Sequence, residues 1–246
     1  MAIQDSRSQR LFIDAPMRAA AELALDEAQS HYLVNVLRAK AGAALLAFNG
    51  RDGEWSATLA EVKKRSAILI LEKQARPQVD GPDLFYVFAP LKRTRLDYMV
   101  QKATELGVAA LQPVITQHTI SERVNLERMR ANAIEAAEQC GVLRVPDIRA
   151  PIDFGSLLAG WEAARAMIFC DEGKAGGNPI EDLRRLAPGP LAVLIGPEGG
   201  FSPKEREALL SKPFVTGVSL GPRVMRADTA AVAALALVNA TLGDWR

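Results

Sequence analysis

One stretch of this chain combines glycines, an acid and a helix start in the order that a ligand site requires. The apolar run Leu191–Ile195 predicts a strand, and the glycines that follow let the backbone turn sharply and approach a ligand closely. Ser202 then stands at a helix N-cap, with Pro203 at the first helical position and Glu205 placed to complete a capping box. This order predicts a small-molecule site at the edge of an α/β sheet, unless the glycines serve only a tight turn.

Glu198 lies inside this loop and narrows the class of ligand. Its carboxylate would repel a bound pyrophosphate. Neither common phosphate-loop pattern, GxGxxG or GxxxxGK followed by Ser or Thr, occurs in the chain. The loop therefore favours a ligand without phosphate, or one with net positive charge.

A second element of the same kind follows soon after. The apolar run Val215–Leu220 predicts another strand, which leads to Gly221, two arginines and a helix with Asp228 as the expected N-cap. The two loops would form one pocket if their strands were neighbours in the sheet.

The histidines and cysteines lack the spacing of a recognised catalytic or metal site. His31 and His118 have no partner at metal-ligand spacing, and no HExxH, GxSxG or CxxC motif occurs. The sequence therefore predicts no metal site, and His118 is expected to be structural or exposed. Cys140 and Cys170 are expected to be buried small hydrophobes in a reduced, cytosolic setting.

The charges are nearly balanced, with 30 Lys and Arg against 29 Asp and Glu and a formal net charge of +1. This argues against a protein that coats nucleic acid through charge alone, but it leaves room for a local basic face. The basic clusters at 63–65 and 92–95 either meet phosphates or form solvated surface turns. Residues 1–10 lack the apolar core of a signal peptide, and no apolar run is long enough to cross a bilayer. A cytoplasmic location is expected.

The elements that must position these residues change in character along the chain. Before about residue 73, turn signals at Asn49–Gly53 and helical spacing of Leu33, Val36 and Leu37 accompany three strand-like runs. These features predict a small β-barrel-like domain with one short helix, followed by a linker at Arg76–Pro82. The strand-like runs are Leu45–Phe48, Trp55–Val62 and Ser66–Leu71.

From Leu84 onward strands and helices alternate, which predicts a mostly parallel α/β sheet with ligand loops at its carboxyl edge. The helix predicted at Thr229–Leu242 is apolar on nearly all sides, and it is expected either at the centre of the domain or at a subunit interface. The other predicted elements, apart from those at the glycine loops, are strands Leu84–Ala89, Val108–Ile115 and Ala166–Cys170, and helices Leu96–Leu106, Leu126–Cys140 and Leu157–Arg165.

Two segments carry a resemblance to a known family: 195–202, IGPEGGFS, and 220–230, LGPRVMRADTA. They are similar to the ribosomal RNA small subunit methyltransferase E family, and further matching blocks lie at 31–38, 91–108 and 135–146. The resemblance implies an enzyme that uses S-adenosylmethionine (SAM) to methylate N3 of a uridine in 16S ribosomal RNA of the small ribosomal subunit. It also implies a homodimer with a SPOUT-type α/β fold, in which a mostly parallel sheet is threaded into a trefoil knot.

The resemblance also implies a division into domains. We expect a PUA-like β-barrel that binds RNA at 1–75, a linker at 76–82 and a SPOUT methyltransferase domain at 83–246.

The chain departs from the family pattern at two places. Where the family usually reads RTETA, this chain has RADTA at 226–230, which shortens the acid and removes a hydroxyl. Where the family usually has an Arg directly after a Cys-Gly or Ser-Gly pair, this chain has Val142, and Arg144 is expected to cover the RNA contact.

Arg226 is the first candidate for catalysis, because a cation would stabilise the negative charge that develops on the uridine ring. A phosphate contact or a helix-cap contact is the alternative for Arg226. Glu198 is expected either to meet the amino or sulfonium end of SAM or to hold its loop, and Asp228 to cap the helix rather than accept a proton.

The resemblance implies a cofactor pocket formed by both glycine loops, with Phe169, Cys170 and Asp171 as a third wall. The residues expected to bind SAM are Phe169, Leu194, Ile195, Gly196, Glu198, Gly199, Gly200, Leu220, Gly221, Val224, Met225, Asp228 and Ala230. The residues expected to bind RNA are Arg38, Lys92, Arg93, Arg95, Arg144 and Arg223.

Two other functions are consistent with these patterns. One is a SPOUT enzyme that methylates another base or a ribose 2′-hydroxyl. The other is an RNA-binding protein without catalysis, which the altered 226–230 segment suggests.

Overall fold

The computed structural model describes residues 9–63, 66–120, 123–174 and 176–245. The chain divides into two compact units. The first contains the described residues up to Asp80 together with Ala137–Arg144, and the second contains Gly81–Ala136 and the described residues from Val145 onward. Lys64 and Arg65 of the predicted basic cluster lie outside the described residues.

The first unit is built on a five-stranded sheet in the order β1-β3-β4-β5-β2. Its pairs are antiparallel except for β1 with β3. Apolar side chains alternate along β4 and β5, so that one face of the sheet packs onto a core containing Leu33, Leu59 and Leu69. The elements are β1 (Arg10–Phe12), β2 (Glu22–Ala24), α1 (Glu27–His31), a π-helical turn (Tyr32–Val36), β3 (Ala44–Phe48), β4 (Glu54–Val62) and β5 (Ala67–Arg76).

A buried charge cluster stabilises this unit. Glu54, only 2% exposed at its side chain, accepts hydrogen bonds from Arg10 at 2.7 Å and from Arg76 at 2.7 Å. Burial alone would raise the pKa of the Glu54 carboxyl, but the hydrogen bonds from Arg76 and Arg10 outweigh it and lower that pKa. The two guanidinium groups also donate to backbone carbonyls in Ala137–Arg144, including those of Gly141 and Val142. The backbone at Val142 is therefore held by a contact that does not depend on its side chain.

The second unit contains a seven-stranded sheet whose strands all pair in parallel, in the order β12-β10-β11-β6-β7-β8, with β9 beside β7. Its strands are β6 (Leu84–Phe88), β7 (Ala110–Ile115), β8 (Asp147–Ile148), β9 (Ile152–Asp153), β10 (Ala166–Cys170), β11 (Leu191–Ile195) and β12 (Val215–Val218). Its helices are α2 (Arg93–Glu105), α3 (Leu126–Cys140), of which the last four residues belong to the first unit, α4 (Phe154–Ala159), α5 (Pro179–Arg184), α6 (Pro203–Leu210) and α7 (Ala227–Thr241).

Helices cover both faces of this sheet, because alternate residues of each central strand enter two different cores. In β11, Val193 and Ile195 pack with α2 and α7, while Ala192 and Leu194 pack with Leu157 of α4 and Leu209 of α6. The register places Phe169 of β10 opposite Leu194. The carboxyl ends of β10, β11 and β12 consequently lie side by side.

The two loop-bearing strands, β11 and β12, are not neighbours in the sheet, because β10 lies between them. The loops reach across the end of β10, which therefore becomes part of the wall between them.

Several predicted boundaries and exposures are wrong. Asp228 is not the N-cap of the last helix, because the chain becomes helical at Ala227 and the extended residue before it is Arg226. The helix predicted at 157–165 is shifted to Phe154–Ala159, where Asp153 caps its N-terminus. The six-residue α5 was missed because it is too short to show a helical period.

Two predictions of buried side chains are also wrong. Val36 and Leu37 are exposed, because the π-helical turn carries them off the face that buries Leu33. Cys140 is exposed at the end of α3, while Cys170 is half-buried as the last residue of β10.

Candidate active site

A cavity of about 1160 Å³ opens at the carboxyl ends of β10, β11 and β12. Three chain segments form its walls: the loop after β11, the loop after β12 and the end of β10 with the residues that follow it. A cavity in this place is typical of ligand sites in α/β proteins, where strand ends leave backbone groups unpaired.

The loop after β11 is packed too tightly for side chains at two glycines. A Cβ atom on Gly196 would lie 2.6 Å from the Phe201 ring, which itself packs edge-on against Phe169. Gly200 adopts φ +68°, and a Cβ there would collide with the carboxylate of Glu172. The backbone thus approaches the cavity without intervening side chains.

The predicted capping box at the start of α6 is present. The hydroxyl of Ser202 accepts a hydrogen bond from the backbone of Glu205, and the Glu205 carboxylate accepts one from the backbone of Ser202 at 2.9 Å. Glu205 also accepts from the backbone of Gln117 at 2.8 Å, which links the helix start to the segment after β7.

His118 holds the same loop from outside. Its Nδ1 lies 3.2 Å from the carbonyl oxygen of Gly199 and 3.1 Å from that of Gly200. Because carbonyl oxygens only accept hydrogen bonds, Nδ1 must carry the proton in this arrangement. The structure therefore gives His118 the structural role expected from the sequence.

The third wall carries a tightly held acid. Asp171 is buried and accepts hydrogen bonds from Arg206 of α6, at 2.9 and 3.2 Å from Nε and at 2.8 Å from Nη2. Hydrogen bonding to Asp171 raises the pKa of Arg206. The neighbouring residue Cys170 also lines the cavity, and burial raises the pKa of its thiol to about 12. Cys170 is therefore protonated at neutral pH.

The loop after β12 leaves two arginines at the cavity without partners. Within the part of the chain that the structure describes, the side chains of Arg223 and Arg226 form no hydrogen bond or salt bridge, and both are exposed. Arg226 precedes α7 but makes no capping hydrogen bond. Val224 between them is 87% exposed.

Arg95 connects the first loop to α7. Its guanidinium group forms a salt bridge with Glu198, and its Nε lies 4.0 Å from Oδ2 of Asp228. Asp228 lies in the first turn of α7, close to the guanidinium group of Arg95, and it does not cap the helix.

The structure brings most of the predicted cofactor residues together. Leu194 does not face the cavity, because the alternation along β11 points its side chain into a core. Gly199 packs against His118, and Asp228 is paired with Arg95 but is not among the residues that line the cavity. The predicted residues that line the cavity are Phe169, Ile195, Gly196, Glu198, Gly200, Leu220, Gly221, Val224, Met225 and Ala230.

The predicted RNA-binding residues are divided between the two units. Lys92 borders a small depression beside Ile120 and Glu198, and Arg93 is exposed one residue further along. Arg95 and Arg223 line the cavity itself. Arg38, exposed after the π-helical turn, and Arg144 belong to the first unit.

Sequence patterns missed other lining residues, among them Glu172, Arg206 and Leu210. Arg206 lies one residue past the capping-box Glu205, so the predicted helix start already placed it near the cavity edge. Nothing in the sequence spacing could have indicated its pairing with Asp171, since that contact joins residues 35 positions apart.

Within the described ranges, no cluster of His, Cys, Asp and Glu side chains has the arrangement of a metal site. Among the same residues, no helix combines the length and the apolar character needed to span a membrane.

Comparisons with known proteins agree with this fold and cavity. Residues 79–239 match the model of an RNA methyltransferase domain, and residues 25–72 match an RNA methyltransferase PUA domain. The chain is 32% identical to ribosomal RNA small subunit methyltransferase E of Rickettsia conorii over 94% of both chains. It is 29% identical to the Synechocystis protein of that name, covering 95% of this chain and 78% of the relative.

Two solved structures have the same fold as this chain. A Legionella pneumophila protein, described as a methyltransferase and solved with bound SAM, superimposes with a TM-score of 0.85 at 27% identity. That match covers 97% of this chain and 99% of the other. The Neisseria gonorrhoeae methyltransferase E, at 24% identity and a TM-score of 0.85, has the same fold over 98% of this chain.

The expected fold class, a mostly parallel α/β sheet preceded by a PUA-like domain, is thereby confirmed. From these matches, which extend over nearly its whole length, the chain belongs to the ribosomal RNA small subunit methyltransferase E family of RNA methyltransferases.

Proposed function

We propose that this protein binds SAM in the cavity at the carboxyl ends of β10, β11 and β12 and methylates N3 of a uridine in 16S ribosomal RNA. The observation that carries the proposal is the pairing of a glycine-lined wall with an arginine, Arg226, that has no salt-bridge partner within the described residues. The family membership of the chain supports RNA as the methyl acceptor.

The cavity has the size and chemistry for SAM. Small-molecule pockets are typically about 300–1,000 Å³, and this cavity of about 1160 Å³ leaves room for a nucleobase beside the cofactor. Leu220 and Met225, which are only partly buried, offer apolar surface for an adenine ring. The carboxylates of Glu172 and Glu198 provide negative charge for a cationic ligand, which agrees with the exclusion of pyrophosphate.

Bound SAM supplies an electrophilic methyl group on a positively charged sulfur. The protein contributes position and charge, because a methyl transfer of this type depends on alignment and on exclusion of water. Loss of the N3 proton to water would place negative charge on the ring oxygens of the uridine, and transfer of the methyl group to N3 would release the sulfur as neutral S-adenosylhomocysteine. Arg226 lies at the cavity with its guanidinium group free to meet that charge.

We also propose where the RNA binds. Lys92, Arg93 and Arg223 are exposed, and among the described residues their side chains form no salt bridge, so they are available for phosphate groups. Arg38 and Arg144 supply contacts from the first unit, which takes the role of the PUA-like RNA-binding domain. The substrate is the 16S ribosomal RNA or the small ribosomal subunit, and the reaction takes place in the cytoplasm.

We further propose that the protein is a homodimer. One side of α7 is buried in its own unit, but Val232, Ala233 and Ala236 form a partly exposed apolar stripe along the other side. Small residues allow close approach of a second helix, and burial of this stripe would remove apolar surface from water.

Two measurements test the catalytic proposal. Calorimetry should show SAM binding, with competition by the demethylated product S-adenosylhomocysteine. Purified protein, labelled SAM and small subunits that lack the modification should then yield label in N3-methyluridine after digestion to nucleosides. Absence of any SAM binding would instead support an RNA-binding protein without catalysis, and label in another base or in ribose would support a different methyltransferase.

A further inference from the structure

The cavity contains four arginines, and their partners separate them into two kinds. Arg206 is bound to Asp171, and Arg95 to Glu198. Arg223 and Arg226 form no salt bridge within the described part of the chain. An arginine already committed to a carboxylate is less available for a phosphate, because the new contact would break an existing one.

Arg95 is the arginine that joins the most elements at the cavity. It belongs to the first turn of α2, Glu198 to the loop after β11, and Asp228 to the first turn of α7. Its side chain is 35% exposed, Glu198 is 39% exposed and Asp228 is 20% exposed. Partial burial reduces screening by water, so this bridge restrains the side chain of Glu198 more than a fully exposed ion pair would.

The position of Glu198 needs such a restraint. Glu198 lies in a loop with Gly196 before it and Gly199 and Gly200 after it, and glycines leave the backbone with many accessible conformations. Of the described side chains, only that of Arg95 forms a salt bridge with its carboxylate. The adjacent Gly199 and Gly200 are held separately, through the contact of their carbonyl oxygens with His118.

We propose that Arg95 is a positioning residue that fixes the carboxylate of Glu198 at the cavity wall for the cofactor, rather than a phosphate-binding residue of the RNA surface. This inference rests on the proposed function, and it gives Arg95 a different role from its neighbours Lys92 and Arg93. Asp228 supports the arrangement from α7 by keeping the Arg95 guanidinium group near the loop.

A double-mutant cycle tests the proposal. Arg95→Ala should weaken SAM binding measured by calorimetry by about tenfold in the otherwise unchanged protein, but by less than about threefold in the Glu198→Gln background. The effects are expected to be non-additive because Arg95 acts through Glu198. Arg95→Lys should recover part of the loss, since an ammonium group can still pair with the carboxylate but lacks the planar geometry of guanidinium.

RNA binding provides the second readout. Arg95→Ala should leave the slope of RNA affinity against salt concentration unchanged, whereas the matched variant Arg93→Ala should reduce that slope by about one phosphate contact. Arg93 suits this comparison because it lies on the same helical turn, is exposed and has no salt bridge within the described residues.

Opposite results would overturn the inference. If Arg95→Ala lowers the salt slope, and if its effect on SAM affinity is the same with and without Glu198→Gln, then Arg95 is an RNA contact. A wild-type protein that transfers no methyl group to ribosomal RNA would instead contradict the proposed function. An active wild type that lacks the coupling would contradict this inference alone.

Discussion

Each arginine around the cavity has its own set of partners, and those partners decide what its side chain is free to do. Arg206 is bound by the buried Asp171, while Arg226 lies exposed at the cavity without a capping hydrogen bond. This contrast makes Arg226 the group best able to meet negative charge that develops on a substrate.

Substitution of Arg226 tests that role at a single residue. Arg226→Ala should lower the rate of methyl transfer by roughly 100-fold, because it removes a charge that acts mainly in the transition state. The affinity for SAM should change by less than about threefold, because Arg226 acts mainly in the transition state and contributes little to binding of the cofactor before reaction. Single-turnover kinetics and calorimetry measure the two quantities.

Arg223→Ala is the matched control, because Arg223 lies in the same loop and lines the same cavity. It should raise KM for the RNA more than it lowers kcat. If Arg226→Ala changed only KM, Arg226 would be a phosphate contact and another group would have to stabilise the charge.

The two cysteines should differ in reactivity. Cys140 is exposed and should be alkylated first by iodoacetamide. The pKa of Cys170, raised to about 12 by burial, leaves only about one thiol in ten thousand ionised at pH 8. Its alkylation should therefore be slow and should accelerate by about tenfold for each unit of rising pH.

Mass spectrometry of the two modified peptides measures these rates. Bound SAM should slow alkylation of Cys170 further, because this residue lines the cavity, and it should leave Cys140 unaffected. Equal rates at both cysteines would contradict the structure.

Residue types at the cavity could be predicted from the sequence, but their pairings could not. The local spacing around Ser202 and Glu205 predicts the glycine loop and its capping box, since these contacts lie within one helical turn. The salt bridge of Arg95 with Glu198 joins distant parts of the chain. Without knowledge of the fold, Arg95 looked equivalent to its exposed neighbours.

At the scale of single elements, the walls of the cavity depend on close packing of one glycine loop against aromatic rings. Phe201 contacts Phe169 edge-on at a centroid distance of 5.2 Å and lies directly over Gly196. The loop conformation is therefore tied to the core beneath the sheet edge.

Gly196→Ala should disturb this arrangement. The added methyl group would lie 2.6 Å from the Phe201 ring, and relief of such overpacking typically costs about 1–3 kcal/mol. SAM affinity should fall by about 5- to 150-fold if the loop must move to bind the cofactor, because each 1.4 kcal/mol corresponds to about a factor of ten.

Phe201→Leu in the same protein provides a control, because a smaller side chain leaves space for the methyl group. The double variant should bind SAM more tightly than Gly196→Ala alone. If Gly196→Ala bound SAM as well as the wild type, the close approach of this loop would not matter for the ligand.

Elements with a strong local signal were predicted well. Strands Ala166–Cys170 and Leu191–Ile195 and helix Leu126–Cys140 have the bounds that the sequence indicated, since each has an apolar pattern ended by glycine or polar residues. Asp228 was misplaced because the residue types RADTA suit either an N-cap or a first helical turn. In the structure Asp228 lies in the first helical turn, where it is paired with Arg95.

At the scale of the whole molecule, the units are not simple consecutive segments. The predicted linker at 76–82 contains the break at Asp80 and Gly81, but residues Ala137–Arg144 return to the first unit. Their carbonyl groups accept hydrogen bonds from Arg10 and Arg76, both paired with Glu54. The local sequence pattern does not predict that Ala137–Arg144 belongs to the first unit, because this packing depends on a buried charge cluster assembled from three segments.

Glu54→Gln tests the importance of that cluster for stability. The change leaves two guanidinium groups without a compensating charge and should destabilise the first unit by about 3–5 kcal/mol in urea denaturation. Glu61→Gln, which removes an exposed pair with Lys63, should leave stability nearly unchanged, because water screens an exposed ion pair. Equal effects of the two substitutions on stability would show that the buried cluster contributes no more than an exposed ion pair.

The pH dependence of stability follows from the lowered pKa of Glu54. A carboxyl group whose pKa is lower in the folded state stabilises the fold fully above its ordinary pKa of 4.5. That contribution is lost as pH falls through the folded value. The wild type should therefore lose more stability on acidification below pH 4.5 than the Glu54→Gln variant does.

The proposed dimer is tested by mass in solution. Light scattering at micromolar concentration should give twice the mass of one chain, and Ala233→Arg in the apolar stripe of α7 should reduce it to that of one chain. An unchanged circular dichroism spectrum would show that the variant is folded. A wild-type mass equal to one chain would contradict the dimer.

The most direct test of the proposed activity is nucleoside mass spectrometry of 16S ribosomal RNA from cells with and without this protein. We predict that N3-methyluridine is lost when the gene is deleted, returns with the wild-type gene and does not return with Arg226→Ala. Unchanged N3-methyluridine in the deletion strain would contradict the proposal that this cavity directs methyl transfer to uridine N3.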